Sequence, residues 1–188
     1  MGFQTLVRAV DVVRGERGRA VVAISGFGGS GKSTLAERLR LHYGVGSRQV
    51  VRVDDFIVDR GRGDGLLGGF DWARLQTVLA DVRAGRPLRY RANDFEGRAR
   101  EEIAEDLPAV VIVEGIRLLR PELDRYFDLR VWIDCPLEVA AARGRRRDEH
   151  DGAGAAHLAI WEAEWVPKDR AYFEACRPDL LADLTYRT

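Results

Sequence analysis

Short apolar runs separated by polar, glycine-marked stretches set the rhythm of this chain. Ala20-Val21-Val22-Ala23-Ile24-Ser25 is almost uniformly apolar, the pattern of a strand covered on both faces. Ala109 to Val113 repeats it and runs straight into Glu114-Gly115, Leu129 to Asp134 repeats it again, and Gln49 to Val53 and Ala182 to Tyr186 read as two further strands. Between the strands the apolar spacing lengthens to that of helices. Leu6, Val7, Val10 and Val13 predict a leading helix from Gln4 to about Arg14, and Ser33 to Tyr43 reads as a second. Asp71 stands as an N-cap before Trp72, Leu75, Val78 and Leu79, which predict a helix to about Ala84. Another helix starts at Leu137, and residues 148–155 read as loop. Leu158, Trp161 and Trp165 mark an amphipathic helix that Pro167 is expected to kink or end. Pro87 to Arg100 reads as polar and irregular. Asp59 to Gly69 reads as loop, and its Arg62-Gly63-Asp64 tripeptide as ordinary loop sequence rather than an adhesion signal.

Apolar strands alternating with helices predict an α/β three-layer sandwich: a mostly parallel, five-stranded sheet with helices on both faces. At 188 residues, with no repeat, low-complexity tract or linker, residues 1–188 read as a single domain. Thirty basic residues balance thirty acidic ones, which argues against a surface built to grip nucleic acid or anionic lipid. No window approaches the ~18 apolar residues of a membrane span, and Met1 to Ala20 is too charged for a signal peptide. Cys135 and Cys176 make neither a disulfide framework nor a metal cluster, so a cytoplasmic setting is expected. His42, His150 and His157 stand at no metal or triad spacing and read as structural or surface residues, and Trp161 and Trp165 as core. Lys32 and Lys168 are the two lysines in an otherwise arginine-based set of cations, which makes Lys32 conspicuous.

Lys32 belongs to Gly26-Phe27-Gly28-Gly29-Ser30-Gly31-Lys32-Ser33, which fits G-x-x-x-x-G-K-[ST] throughout, after a buried strand and at a helix start. Glycines let the backbone curl so that several N–H groups point at a polyphosphate, and the helix adds the positive end of its dipole. Lys32 is then placed for the β and γ phosphates and the Ser33 hydroxyl for Mg²⁺. A glycine-rich turn with a lysine beside it by accident is the bland alternative. The chain is expected to bind a nucleoside triphosphate.

Strand C-termini of a parallel sheet share one edge, so Asp54 and Asp55 after the second strand and Glu114 after the third should converge on this loop. Two roles need filling there: a holder for Mg²⁺ and a base for an incoming hydroxyl. Capping of the following turns is the alternative for these acids. Asp71 divides evenly between capping its helix and touching a substrate. Arg143 to Arg147, with Asp148, suit a lid over about residues 143–157 whose guanidiniums neutralise phosphate charge. A solvated basic helix end and an RNA-binding patch are the alternatives.

From about Ala20 to Tyr186 the chain resembles the uridine kinase/phosphoribulokinase family of P-loop kinases. Beyond the phosphate loop, the resemblance rests on Asp54-x-Phe56, Phe70-Asp71, Val113-Glu114-Gly115-Ile116, Arg147-Asp148, Val166-Pro167 with Phe173 and Pro178, and Ala182-Asp183. It implies a P-loop NTPase fold with a short lid, Asp54 as general base near Mg²⁺, Glu114 as a second acid near the metal, Asp71 on ribose hydroxyls, and Arg143 and Arg147 as lid arginines. The family shows Asp-Ser-Phe-Tyr where this chain has Asp54-Asp55-Phe56-Ile57. It also has a histidine shortly after an aspartate–aromatic pair, where Asp94-Phe95 is followed here by Glu96-Gly97-Arg98, which makes Arg98 a candidate acceptor contact.

The resulting expectation is an ATP-dependent kinase moving the γ-phosphate to a hydroxyl of a small molecule, a nucleoside first. Gly26 to Ser33 with Arg143 and Arg147 would bind ATP, and Asp54, Lys32 and Arg147 would carry catalysis. Asp54, Asp71 and Arg98 would meet the acceptor, and Ser33, Asp54 and Glu114 would hold Mg²⁺. The alternatives are another acceptor (a sugar phosphate, a pantothenate-like alcohol, an antibiotic hydroxyl) or a P-loop ATPase switch. Neither nucleic acid nor membrane is an expected partner, and a homo-oligomer stays open.

Overall fold

In the computed structural model, which describes residues 1–59 and 65–188, β1 (Ala20–Ser25) runs through the middle of a five-stranded sheet. It pairs in parallel with β5 (Val110–Gly115) on one side and β6 (Leu129–Asp134) on the other. β2 (Val51–Arg52) continues the sheet beyond β5, and β7 (Leu184–Arg187) beyond β6, both in parallel. Every residue of β1 and β5 is buried. Because successive side chains point to opposite faces, such a run has both faces covered, which is what their unbroken apolar sequences required. The expected five-stranded parallel α/β sheet is therefore present.

Register decides where the site lies. Ser25 faces Gly115 across the β1–β5 ladder, and Arg52 faces Glu114 across β2–β5. These strands thus finish together, and the segments leaving them are gathered along one edge. Helices α1 (Phe3–Arg17), α2 (Lys32–Tyr43), α3 (Trp72–Arg83), the short α4 (Pro121–Asp124) and α5 (Leu137–His150) alternate with the strands. The C-terminal part comprises α6 (Ala155–Ile160), a π-helical turn over Trp161–Trp165, α7 (Val166–Cys176) and the short α8 (Pro178–Leu181). No helix among the described residues is long and apolar enough to cross a membrane.

Four expectations need correction. The segment expected to be irregular from Pro87 to Arg100 instead forms most of an antiparallel hairpin, β3 (Leu88–Asn93) and β4 (Ala99–Glu105). Leu88, Tyr90 and Ala92 are buried while Arg89 and Arg91 are exposed, so the arginines mask an ordinary period-two strand. The strand expected over 49–53 shrinks to two residues between 3₁₀ turns at Ser47–Gln49 and Val53–Phe56. Side-chain bonds fold the first of these turns: Gln49 accepts from the Gly46 N–H and donates to the Asp106 carbonyl. Residues 148–155, expected as loop, begin as the last turn of α5, with Asp148 buried, and end in the first residue of α6.

Pro167 neither ends nor interrupts its helix. The π turn lets the Val166 N–H bond to the Trp161 carbonyl, and Pro167 then falls in the first turn of α7, where its missing N–H costs little. The tripeptide Arg62-Gly63-Asp64, in the expected 59–69 loop, lies outside the described residues.

Candidate functional site

The strand edge opens into a cavity of about 720 Å³. Its floor is the turn between β1 and α2, in which Gly29 and Gly31 take the left-handed conformation (φ 80° and 99°). A Cβ on Gly29 would stand 2.1 Å from the Ala140 carbonyl oxygen and 2.6 Å from the Gly144 nitrogen, so α5 presses directly on the loop. Gly26 is tight for a different reason: a Cβ there would lie 2.6 Å from Ser30 Oγ. Phe27 pins the turn from behind through edge contact with Trp132 (5.3 Å) and packing on Phe173 (5.6 Å). Ser30 is fully buried, and its Oγ has no hydrogen-bond partner.

Gly28, Gly29, Gly31, Lys32 and Ser33 line the cavity, whereas Gly26, Phe27 and Ser30 support them from outside the lining. The Lys32 ammonium is buried and donates to the Phe27 carbonyl at 2.8 Å. Burial pushes its pKa down, against the pull of Glu114, Asp169 and Asp54. Ser33 Oγ donates to Glu114 Oε1 at 3.2 Å.

The acids expected opposite the loop are there. Glu114, near the end of β5, is buried, and burial together with neighbouring Asp54 raises its pKa. Asp54 opens onto the cavity from the 3₁₀ turn after β2. It is solvent-accessible there, yet the enclosing walls desolvate it, so its pKa is raised in spite of Lys32 and Arg147. Ser33, Glu114 and Asp54 make a donor set of hard oxygens that cannot close a full coordination shell by themselves. That suits a small cation sharing its remaining positions with phosphate and water. Among the described residues no group of three or more His, Cys, Asp or Glu side chains forms a closed metal cage.

The 3₁₀ turn separates the two adjacent aspartates. Asp55 points away from the cavity into the hairpin, accepting from Tyr90 Oη at 3.0 Å and pairing with Arg100 at 3.2 Å. Arg143 and Arg147 line the cavity from α5. Arg147 lies flat on Asp148 (2.7 and 3.0 Å), and Arg143 reaches Thr188 Oγ1 at 3.3 Å.

Two acceptor candidates are placed differently. Asp71 caps α3, accepting from the Arg74 N–H at 2.9 Å, and only its neighbour Phe70 is among the lining residues. Arg98 is held in the hairpin turn by Asp94 at 2.9 Å and does not line the cavity either. Apolar lining comes instead from Ile57, Phe70, Phe95 and Trp165.

Several lining residues escaped sequence reading. Asp148 is a hub, accepting from Trp161 Nε1 (2.8 Å) and facing His157 Nε2 (3.1 Å) as well as holding Arg147. His157, Trp161 and Trp165, read as structural or core, therefore belong to the cavity wall. Arg117 and Asp169, 52 residues apart in sequence, meet there as a buried pair. Arg117 directly follows the Val113–Ile116 motif and Asp169 shortly follows Pro167, but no spacing rule connects them.

Comparison with known proteins finds relatives in both sequence and fold. Residues 22–162 match the model of the family described as AAA domain. A uridine kinase of Brevibacillus brevis is 26% identical over 140 residues, covering 68% of this chain and 65% of the relative. One of Deinococcus deserti is 28% identical over 143 residues, covering 70% and 69%. The matches thus span about two thirds of those curated relatives. A crystal structure from Silicibacter sp. TM1040, assigned as a fructose transport system kinase, superposes with a TM-score of 0.78 at 25% identity over 99% of both chains.

Proposed function

The chain belongs to the AAA domain family, and from that premise we propose that it is an ATP-dependent kinase transferring the γ-phosphate to a hydroxyl of a small molecule. The observation that carries this reading is one cavity lined by a phosphate loop with Lys32 and, beside Asp54, by the apolar side chains Ile57, Phe70, Phe95 and Trp165. A switch ATPase needs no such apolar lining for a second substrate. In the proposed mechanism the loop amides and Lys32 grip the triphosphate, and Arg147 and Arg143 neutralise charge gathering on the transferred group. Ser33, Asp54 and Glu114 would hold Mg²⁺, which would supply positive charge to offset that of the phosphate oxygens. Asp54 orients the acceptor hydroxyl and takes its proton.

For the acceptor we favour a neutral nucleoside. Phe70, Phe95 and Trp165 offer faces on which a planar base can lie. The relatives named as uridine kinases support the same class. Arg117, committed to Asp169, and Arg98, committed to Asp94, offer no spare cation to a phosphorylated sugar.

The test is an ADP-release assay with nucleosides, sugars, sugar phosphates, pantothenate and aminoglycosides as acceptors, run on the wild-type chain and on Asp54→Asn. A nucleoside should stimulate turnover, and Asp54→Asn should lower it by ~10²–10⁴ while ATP still binds. ATP turnover that no hydroxyl compound stimulates would replace the kinase with the ATPase.

A further inference from the structure

Of all the polar contacts made by the phosphate loop, one comes from an unexpected place. The backbone N–H of Gly28, on the cavity side of the turn, donates to Asp169 Oδ2 at 3.0 Å. Asp169 sits in the first turn of α7, 141 residues away in sequence, and is 5% exposed. Its other oxygen accepts from Arg117 Nη2 at 3.3 Å, and Arg117 is 2% exposed. Arg117 adopts φ 59°, a left-handed conformation costly for a residue with a side chain, and its Nε has no partner among the described residues. A strained backbone and two buried charges are thus committed to presenting one carboxylate to one loop amide. The same C-terminal arm supports Gly28 from beside it: a Cβ on Gly28 would lie 3.1 Å from Trp161 Cη2.

We propose that Asp169, held by Arg117, is a positioning residue for the phosphate loop. It engages the Gly28 amide so that the loop keeps its curled shape before the nucleotide arrives. Arg117 neutralises the carboxylate, so the anion that shapes the loop does not repel the incoming phosphates. Preorganisation of this kind acts on affinity, because binding no longer has to order the loop. The proposal rests on the reading that the loop holds ATP, and it ties the loop to the C-terminal arm that also lines the cavity.

Two readouts separate the clasp from that reading. Hydrogen exchange of the peptide covering residues 26–33 is measured without nucleotide, and ATP binding is measured by calorimetry with magnesium present. Asp169→Glu keeps a charge for Arg117 but displaces the oxygen by a methylene. The double variant Arg117→Met/Asp169→Leu removes both charges and leaves none orphaned. Both should exchange the loop amides faster and bind ATP about ten-fold more weakly, the scale of one charge-assisted hydrogen bond. Arg117→Met/Asp169→Asn, whose amide oxygen can still accept from Gly28 with no charge orphaned, should recover most of each. Unchanged exchange in both variants overturns the clasp, and so does tighter ATP binding, the signature of a carboxylate that only repels phosphate. A wild-type chain that binds no ATP would sink the nucleotide reading and the purpose given to the clasp, while the exchange rates would still show whether Asp169 holds the loop.

Discussion

Gly144 lies inside α5, where alanine ordinarily stabilises a helix by ~1 kcal/mol relative to glycine. Here the sign should reverse. A Cβ at residue 144 would stand 2.2 Å from Trp161 Cη2 and 2.6 Å from Cζ2, far inside van der Waals contact. The indole has little room to retreat, since it packs edge-on against Trp165 at 4.8 Å, abuts Gly28 and donates Nε1 to Asp148. Overpacking costs ~1–3 kcal/mol, and loss of the hydrogen bond to a charged acceptor adds about 1.5–3. Set against the helix gain of ~1, the net loss for Gly144→Ala should be roughly 1.5–5 kcal/mol. For a chain of this size each kcal/mol moves the melting point by about 2–4 °C, so a fall of roughly 3–20 °C is expected.

Thermal and urea unfolding of four proteins test this: wild type, Gly144→Ala, Trp161→Phe and the double variant. Phenylalanine lacks the outer indole ring atoms that collide, so the double variant should be clearly more stable than the sum of the singles, with a coupling of at least ~1 kcal/mol. Gly15→Ala in α1 is the internal contrast, because nothing lies within 4 Å of a Cβ there and the change should stabilise by up to ~1 kcal/mol. A Gly144→Ala protein as stable as wild type, or additivity in the cycle, would refute the packing argument. Because Trp161 also backs Gly28, weaker ATP binding should accompany the lost stability.

Three further outcomes are expected. Tyr90→Phe leaves Asp55 short of a donor within the hairpin and should cost about 1.5–3 kcal/mol in urea unfolding, with a smaller loss if Arg100 alone satisfies the carboxylate. Burial and the nearby Asp11 raise the Tyr43 hydroxyl to about 12. The folded state therefore resists its ionisation, and the stability it contributes is complete below the ordinary value near 10 and declines as pH rises toward 12. Tyr43→Phe should flatten that alkaline decline, read from melting points between pH 9 and 12. Lys32→Met should weaken ATP binding by about ten- to a hundred-fold in calorimetry, as removal of a charge-assisted phosphate contact implies. Unaltered affinity there would remove Lys32 from the phosphate site.

The parallel sheet, its helices and the phosphate loop were legible in the sequence because each has a local cause. β1 and β5 are apolar over most of their length since both faces are covered, and the loop needs glycines wherever its backbone curls or α5 presses close. The convergence of Asp54 and Glu114 came from the shared direction of parallel strands. Other features depended on partners far along the chain. Asp54 and Asp55 look equivalent in sequence, but a single 3₁₀ turn sends one to the cavity and the other to Tyr90 and Arg100. The β3–β4 hairpin was hidden because its outward arginines outweigh Leu88, Tyr90 and Ala92, which it buries. Asp71 reads in sequence equally as a helix cap and as an acceptor contact, and packing sets it on the Arg74 N–H, while Arg98 is engaged by Asp94. Asp169 and Arg117 carried no signal at all. Periodicity and motif spacing record what a residue requires of its near neighbours, whereas a buried charge pair spanning 52 residues exists only once packing has excluded the water that would otherwise satisfy both ends.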